Sequence, residues 1–494
     1  MKTAIILVIA CLVPFIAWGD EEVIIDPSAP HHSFPHFWEQ MFGSGRAILT
    51  LRESYRKDLR RVKAATDLNY VRFHAILHDE IGVYDEDKKG NPIYNFSYVD
   101  QIYDGLLDNG VRPFVELSFM PRKLASSAVV QSFAYHPFVA PPRDYAKWDA
   151  LISAFAAHLI ERYGVDEVAK WYFEVWNEPN LDFWAGRPAQ SSYWTLYDHT
   201  ARALKRVDSK LRVGGPSTAQ AAWVGAFIRH AADEHVPLDF VSTHVYSNDK
   251  SEDVFATHEK IPRTDMVCRA AKKVRDEVKA SPRPDVPIIW SEYNASYKNE
   301  PDVTDSVFMG PWLADTLRRC DGLTQMMSYW TFSDVFEEQG TVRRPFYGGF
   351  GLIAAGGIPK PAFNAFKMLH QLGTERLDAE SEDVLLTRRP DGSLIVALWN
   401  YVAPAEAGTA KTIVLRLPAS AHSAQLLRLD ADHGDVASEY RRMGSPPYPT
   451  RAQLAVLIKA SALPPPQELA VVNERVSVTL PPNGLATVQF TPGR

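Results

Sequence analysis

Cysteine is scarce in this sequence, which contains three in 494 residues: Cys11, Cys268 and Cys320. No group of cysteines and histidines has the spacing of a zinc site. The stretch HHSFPH (31–36) brings together His31, His32 and His36, but we expect no metal there because no carboxylate partner lies near it in the sequence. The sequence leaves open whether Cys268 and Cys320 pair, and two buried free thiols are the default expectation.

Other features are also missing. No glycine-rich phosphate-binding turn follows the first strand-like segments, which weakens the case for a doubly wound nucleotide-binding sheet. There is no long basic run, and the formal net charge of −7 argues against nucleic acid as a partner. We find no internal repeat of fixed period and no low-complexity tract. With 46% hydrophobic and 23% charged residues, the chain has the composition of a globular protein with a sizeable core.

The N-terminus, MKTAIILVIACLVPFIAWGD, has one lysine, an apolar run from Ala4 to Ile16 and small residues near Gly19. This pattern predicts a secretory signal peptide that is cleaved near Gly19, so we expect an exported protein, periplasmic or secreted. The apolar run is too short for a stable membrane anchor. Val-Ile-Ala-Cys11 resembles a bacterial lipoprotein box, but the residues after Cys11 stay hydrophobic where a lipoprotein turns polar.

Between residues 37 and 372 the chain alternates short strand-like runs with amphipathic helices. Eight such units predict an α/β protein with a (β/α)8 barrel, and a doubly wound open sheet is the alternative. The predicted strands lie at 37–45, 70–76, 112–119, 172–178, 212–217, 240–246, 287–294 and 325–332.

After residue 375 short alternating runs separated by turn signals predict an antiparallel β-sandwich, with little helical periodicity. We therefore divide the chain into a signal peptide (1–19), a catalytic barrel (37–372) and a C-terminal sandwich (373–494). The intervening segment, 20–36, contains EEVIID, a candidate strand for that sandwich.

The run WYFEVWNEPN (171–180) places Glu178 at the end of the fourth predicted strand, directly before Pro179. Glu292 ends the seventh strand in the same way. Strand ends of this kind face the active site of a barrel, and by period two Glu174 and Trp176 are expected to point toward its axis. Two carboxylates across a barrel mouth suit glycoside hydrolysis. One such glutamate alone is more often a structural partner of an arginine, but the pair, with Asn177 beside it, favours catalysis.

Several motifs in order resemble those of glycoside hydrolase family 39, the β-xylosidases and α-L-iduronidases. WNEPN and WSEYN resemble the wider superfamily of retaining glycosidases with acids on strands four and seven. The more specific segments are GSGRA (43–47), YVRFHAILHDEIGVY (70–84), DFVSTHVY (239–246) and YWTFSDVFEE (329–338).

This resemblance implies that Glu178 is the general acid/base and Glu292 the nucleophile of a two-step retaining mechanism. It also implies that Asn177 binds the sugar 2-hydroxyl. The residues that it places in the pocket for the non-reducing sugar are His74, His244, Tyr246, Trp330 and Glu338. For each of these the alternative is a buried polar or aromatic residue with a structural role. We expect no metal and no organic cofactor, because two carboxylates carry the chemistry.

The identity of the sugar rests on a departure from part of the family's pattern. Iduronidase-type members carry a lysine two residues after the pocket histidine, where this chain has the neutral Tyr246. We therefore expect release of xylose from the non-reducing end of β-1,4-linked xylo-oligosaccharides. The alternatives are another sugar (α-L-arabinose, β-glucose or, less well supported, α-L-iduronate) or an inactive carbohydrate-binding protein. We expect an oligosaccharide as the partner, and the sequence leaves a homo-oligomer open.

Overall fold

The computed structural model of the protein describes residues 21–418 and 423–490. The predicted signal peptide and Cys11 lie outside the described residues. No helix in the described part of the chain is long and apolar enough to cross a membrane.

A closed barrel of eight parallel strands forms the centre of the molecule. Each strand pairs with the next in sequence, and the ring closes where Ser328 of the eighth strand pairs with Met41 of the first. The predicted barrel is therefore confirmed. Its strands are β1 (Met41–Arg46), β2 (Tyr70–His74), β3 (Arg112–Leu117), β4 (Tyr172–Val175), β5 (Arg212–Thr218), β6 (Phe240–Tyr246), β7 (Ile288–Asn294) and β8 (Met326–Tyr329).

Within the described residues, one main helix follows each barrel strand. In the first of these helices, Tyr55, Leu59 and Val62 lie on the buried face, as their spacing predicts. The eight helices are Glu53–Lys63, Ser97–Leu107, Tyr145–Tyr163, Ala189–Val207, Val224–Asp233, Arg263–Lys279, Met309–Cys320 and Pro361–Leu369. Shorter helical turns are Ala47–Leu51, Val165–Val168, Ala219–Ala221, Ser251–Phe255 and Pro301–Thr304.

The barrel interior changes from apolar to charged along its axis. A cluster of apolar side chains fills the end at which the strands begin: Met41, Phe114, Tyr172, Phe240, Ile289 and Met326. Two residues further along β3 and β4 come Glu116 and Glu174, both buried. Because alternate residues share one face of a strand, these carboxylates lie above the apolar floor and below the mouth.

Two sheets pack against each other beside the barrel and share one hydrophobic core. One sheet has three strands: Glu21–Ile24, Lys411–Arg416 and Arg475–Leu480. The other has seven, in the order His31–Ser33, Glu375–Leu377, Val384–Arg388, Leu394–Trp399, Leu485–Phe490, Ala424–Leu429 and Gln467–Leu469. The pairing is antiparallel except that Glu21–Ile24 runs parallel to Lys411–Arg416. Two short hairpins lie outside these sheets, Tyr84–Glu86 with Pro92–Tyr94 and Ile353–Ala354 with Ile358–Pro359.

The C-terminal part also contains two helices that the sequence pattern did not predict, Val436–Arg442 and Arg451–Ala460. The second begins with a capping box, in which the Thr450 side chain accepts from the backbone of Gln453 and the Gln453 side chain accepts from Thr450 N–H. Both helices contribute to a small core under the barrel loop at Phe346. Their buried faces are narrow, which explains why their periodicity is weak.

Two sequence expectations need correction. Cys268 and Cys320 form a disulfide, where free thiols were the default expectation. The reason given against a metal near HHSFPH was also wrong, because a carboxylate does lie close by: His36 Nδ1 is 2.5 Å from Glu39 Oε1, and His370 Nδ1 is 3.0 Å from the same oxygen. In this structure the buried Glu39 joins the start of β1 to the last barrel helix.

Candidate active site

Glu178 lies in a tight turn beyond β4, which ends at Val175. The residue adopts a positive φ of 45°, and its N–H donates to Ser217 O at the end of β5 (2.8 Å). Asn180 adds a second connection, since its side chain accepts from Ala219 N–H and donates to Ala219 O. The backbone that carries Glu178 is therefore fixed to the neighbouring strand, with its side chain at the barrel mouth.

The expectation that Trp176 points toward the barrel axis was wrong. Its φ is 71°, so the alternation of a strand has already ended there. Its Nε1 donates to Phe183 O (2.7 Å), and its ring packs between Phe119 and Trp184. Trp176 supports the turn, whereas Glu174, which is still within β4, does point inward.

Glu292 lies on β7 and is held from two sides. Arg72 Nη1 donates to Glu292 Oε1 (2.6 Å), and the Tyr246 hydroxyl donates to Oε2 (2.6 Å). Only 3% of the residue is exposed. Two hydrogen bonds and one cation favour the ionised carboxylate over the neutral acid.

Glu178, His244 and Glu292 come together at the mouth of the barrel, each with one side-chain oxygen or nitrogen within 4.8 Å of the others. His244 Nδ1 is 3.0 Å from Glu178 Oε1, and its Nε2 is 3.1 Å from Ser291 Oγ. A divalent cation would fit these three groups by distance alone. However, the Arg72 guanidinium already neutralises Glu292 and opposes a second positive charge there.

Arg72, on β2, is a residue of the candidate site that the sequence analysis did not select. It is fully buried and contacts Glu116, Glu174 and Glu292 at 2.6 to 2.7 Å. Its Nη2 also donates to Asn177 Oδ1 (2.9 Å), which leaves the amide nitrogen of Asn177 available to a ligand. The signal was present in the sequence, because an arginine interrupts the apolar run YVRFH two residues before His74.

His74, Trp330 and Glu338 form the wall on the β2 and β8 side. His74 Nδ1 is 2.7 Å from Glu116 Oε2, and its Nε2 is 3.4 Å from Glu338 Oε1. The Trp330 ring lies 4.8 Å from the His74 ring, centre to centre. Burial lowers the pKa of His74, but the charges of the surrounding glutamates outweigh it and raise the pKa to about 10. The imidazole is therefore a cation at neutral pH.

The two central glutamates have different electrostatic surroundings. Burial, and then the charge of Glu292, raises the pKa of Glu178 well above its usual range. Burial also raises the pKa of Glu292, but Arg72, His74 and the Tyr246 hydroxyl oppose the shift. Of the two, Glu178 is therefore the group that holds the proton. Burial and nearby cations lower the pKa of His244, so its ring is neutral.

A cavity of about 350 Å³ opens onto these groups. Of the residues singled out in the sequence, seven line it: His74, Asn177, Glu178, Tyr246, Glu292, Trp330 and Glu338. His244 lies behind the lining, against Glu178. The cavity also contains Asp249, which the sequence analysis did not select. Burial raises the pKa of Asp249 to about 7, and its carboxylate accepts from Tyr246 N–H.

The arrangement is a protonated acid and an ionised carboxylate facing each other across a small cavity. An acid can protonate a leaving oxygen, and a carboxylate can attack or stabilise an electron-poor carbon on the other side. Polar groups around them would orient a hydroxyl-rich ligand, and Trp330 offers an aromatic face.

Comparison with known proteins agrees with this chemistry. The family model described as glycosyl hydrolases family 39 matches residues 21–473. A β-xylosidase of Geobacillus stearothermophilus is 38% identical over 452 residues, 89% of each chain. One from Caldicellulosiruptor saccharolyticus is 36% identical over 441 residues, 86% of this chain and 88% of that one.

Among solved structures, a GH39 β-xylosidase from Caulobacter crescentus is 34% identical and superposes with a TM-score of 0.84. The match covers 96% of this chain and 100% of that one. From the barrel, the paired carboxylates at its mouth and these matches, we conclude that the chain belongs to glycosyl hydrolases family 39.

Proposed function

We propose that the protein is a retaining exo-β-1,4-xylosidase, which releases xylose from the non-reducing end of xylo-oligosaccharides. In this proposal Glu292 attacks the anomeric carbon while Glu178 protonates the departing oxygen. Water then cleaves the glycosyl-enzyme at Glu292 with Glu178 as the base, so one bond to the anomeric carbon breaks and one forms in each step.

The observation that carries the retaining mechanism is the closeness of the two carboxylates, with oxygens less than 4.8 Å apart. Retaining enzymes have carboxyl groups about 5–5.5 Å apart, whereas inverting enzymes need about 6.5–9.5 Å to admit a water molecule. The proton on Glu178 and the charge on Glu292 match the acid and nucleophile of the first step.

Two observations support a neutral sugar at the non-reducing end. The wall formed by His74, Trp330 and Glu338 lies on the far side of the cavity from Leu181, a position that suits a terminal sugar unit. Among the described residues, no lysine or arginine lines that cavity, and its one cation, His74, already contacts Glu116 and Glu338, so a sugar that itself carries a carboxylate would lack a free cationic partner. The names of the two curated relatives point to xylose.

We also propose that the protein is exported. The Cys268–Cys320 disulfide supports this proposal, because disulfides persist mainly outside the reducing cytosol. Fractionation of the producing cells, with N-terminal sequencing of the mature protein, tests it: we expect a chain that starts after Gly19. A cytosolic chain that retains Lys2 would contradict export, and an acylated Cys11 would show the lipoprotein alternative.

The test of the activity is a panel of nitrophenyl glycosides followed by NMR of the first product. We expect the β-D-xyloside to give the highest kcat/KM, and the xylose released first to be the β-anomer. Faster hydrolysis of an α-L-arabinoside or a β-D-glucoside would change the proposed sugar but leave the proposed mechanism unaffected. An α-anomer would overturn retention, and binding without turnover on every substrate would favour the inactive carbohydrate-binding protein.

A further inference from the structure

A groove continues from the catalytic cavity along the turn that carries Glu178. Leu181 and Phe183 line the catalytic cavity and also a second cavity of about 520 Å³. That second cavity shares Gln131, Asp182 and Arg187 with a third, of about 260 Å³. The three cavities therefore form a series in which each adjoins the next, and we call the second and third together the outer groove.

The direction of this series follows from the chemistry of the proposed function. A general acid must lie on the side of the departing oxygen, because it delivers its proton there. The part of the substrate beyond the cleaved bond therefore leaves the catalytic cavity past Glu178. Leu181, whose N–H donates to Glu178 O, is the first wall residue of the outer groove on that side.

The surface of the outer groove suits a carbohydrate. Leu181, Val129 and Val130 are 38%, 48% and 40% exposed, and aliphatic side chains at a cleft can pack on the carbon-bound faces of sugar rings. Asp182 lines both outer cavities, and within the part of the chain that the structure describes its carboxylate has no hydrogen-bond partner. It is free to accept hydrogen bonds from sugar hydroxyls.

A rival position exists on the opposite side. A cavity of about 270 Å³, lined by Thr341, Arg343 and Arg344, borders the catalytic cavity through Phe350. It lies next to Glu338, on the wall assigned to the terminal sugar. The departing part of the substrate would have to turn back past Glu338, away from the general acid Glu178, to reach it.

We propose that the outer groove binds the two sugar units that follow the cleaved bond, the nearer unit in the second cavity and the next in the third. The proposal rests on the proposed function and adds a preference for the number of sugar units in the substrate. The enzyme then prefers a trisaccharide to a disaccharide, because only the trisaccharide reaches the third cavity.

The first experiment measures kcat/KM for xylobiose, xylotriose and xylotetraose, with the nitrophenyl xyloside in parallel. We expect a rise of about tenfold from the disaccharide to the trisaccharide, the size of one added subsite contact, and little further rise. Equal values for the two would overturn the proposal. Loss of nitrophenyl xyloside hydrolysis would instead contradict the proposed function. If another sugar proves to be preferred, its own oligosaccharides replace the xylose series.

The second experiment locates the subsite with matched substitutions at two exposed positions. Ser132 lines the third cavity only, so Ser132→Trp should fill it and reduce the ratio of trisaccharide to disaccharide kcat/KM to about one. Thr341→Trp fills the rival cavity and should leave that ratio as in the wild type. The reverse result would place the departing sugar units beside Arg343 and overturn the proposal. A general loss of active enzyme lowers both kcat/KM values equally and therefore leaves their ratio unchanged.

Discussion

Arg72 is the residue on which the charge balance of the barrel depends. It forms ion pairs with Glu116, Glu174 and Glu292, all of which are buried, and His74 supplies a second cation to Glu116. Removing one partner of a buried ion pair leaves uncompensated charge, which costs more than the pair contributes. The Arg72 guanidinium therefore stabilises the fold and, together with His74, favours the ionised form of Glu292.

We expect Arg72→Met to lower the free energy of unfolding by about 3–5 kcal/mol. It should also raise the pKa of Glu292, which moves the acid limb of the kcat/KM profile to higher pH. Denaturation and a pH profile measure the two effects. Arg60→Ala, at a largely exposed ion pair with Glu53, is the control and should change stability by less than about 0.5 kcal/mol. An unmoved acid limb in Arg72→Met would contradict the role.

Glu292→Ala should reduce turnover by about 10⁴-fold or more, because no side chain remains to form the glycosyl-enzyme. Azide, a small nucleophile, fits the space left by the carboxylate and should restore part of the rate as a glycosyl azide of inverted configuration. Glu252→Ala, at an exposed glutamate, is the control. If azide instead rescues Glu178→Ala and leaves Glu292→Ala inactive, the two roles are exchanged.

Glu178→Ala should slow xylobiose far more than an activated aryl xyloside, because an activated leaving group needs little acid assistance. Burial raises the pKa of Glu178, so in the wild type the acid form persists above its usual range and activity falls only as the pH rises through that raised pKa. The alkaline limb should disappear in the variant with the activated substrate. Equal losses on both substrates would contradict the assignment.

The carboxylates at the strand ends and the inward direction of Glu174 could be predicted from the sequence, whereas the ion pairs beneath the strand ends could not. Glu178 and Glu292 are recognisable because each follows an apolar strand and precedes a polar loop. Arg72 and Glu116 belong to different strands, and only closure of the barrel brings them into contact. The separation of two residues along the chain does not show that the folded barrel brings their side chains together.

At the level of the secondary-structure elements, the Asn180 side chain ties the turn after β4 to Ala219, the residue that directly follows β5. We expect Asn180→Ala to lower kcat about tenfold with a smaller effect on KM, because a looser turn misplaces the acid relative to the departing oxygen. Loss of the two hydrogen bonds should cost roughly 1–3 kcal/mol of stability. Steady-state kinetics and thermal denaturation measure the two effects.

Asn180→Asp is the conservative comparison, since it can still accept from Ala219 N–H, and it should retain more activity than the alanine variant. A change in KM alone, with kcat preserved, would mean that the turn contacts the substrate and does not position Glu178.

The limits of prediction differ between elements. The eight barrel strands follow the predicted segments closely, because buried parallel strands are short apolar runs bounded by turns. The end of β4 was placed three residues too far, since Trp176 looks like a strand residue and yet takes a positive φ. The helices Val436–Arg442 and Arg451–Ala460 were missed because each buries few side chains.

For the whole molecule, the disulfide joins the helix after β6 to the helix after β7 across 52 residues. Replacing both cysteines by serine should lower the free energy of unfolding by about 4 kcal/mol, the loop-closure value for a segment of this length. Denaturation with and without dithiothreitol checks this. Reductant should destabilise the wild type and leave the double variant unchanged. A wild type insensitive to reductant would contradict the pairing in solution.

The overall architecture, a barrel followed by a sandwich, could be read from the change of periodicity near residue 375. The pairing partners of the individual strands could not be predicted in this way. Nothing in EEVIID indicates that Glu21–Ile24 lies parallel to Lys411–Arg416, since that contact joins segments almost 400 residues apart.

That pairing has a consequence for how the protein is made. The strands Glu21–Ile24 and His31–Ser33 emerge from the ribosome before the barrel, but their partners include residues 411–416 and 375–377. These two strands must therefore wait, unpaired, until residues 375–377 and 411–416 have been synthesised. A nascent chain that stops early leaves two open strand edges at its beginning, and such edges promote aggregation.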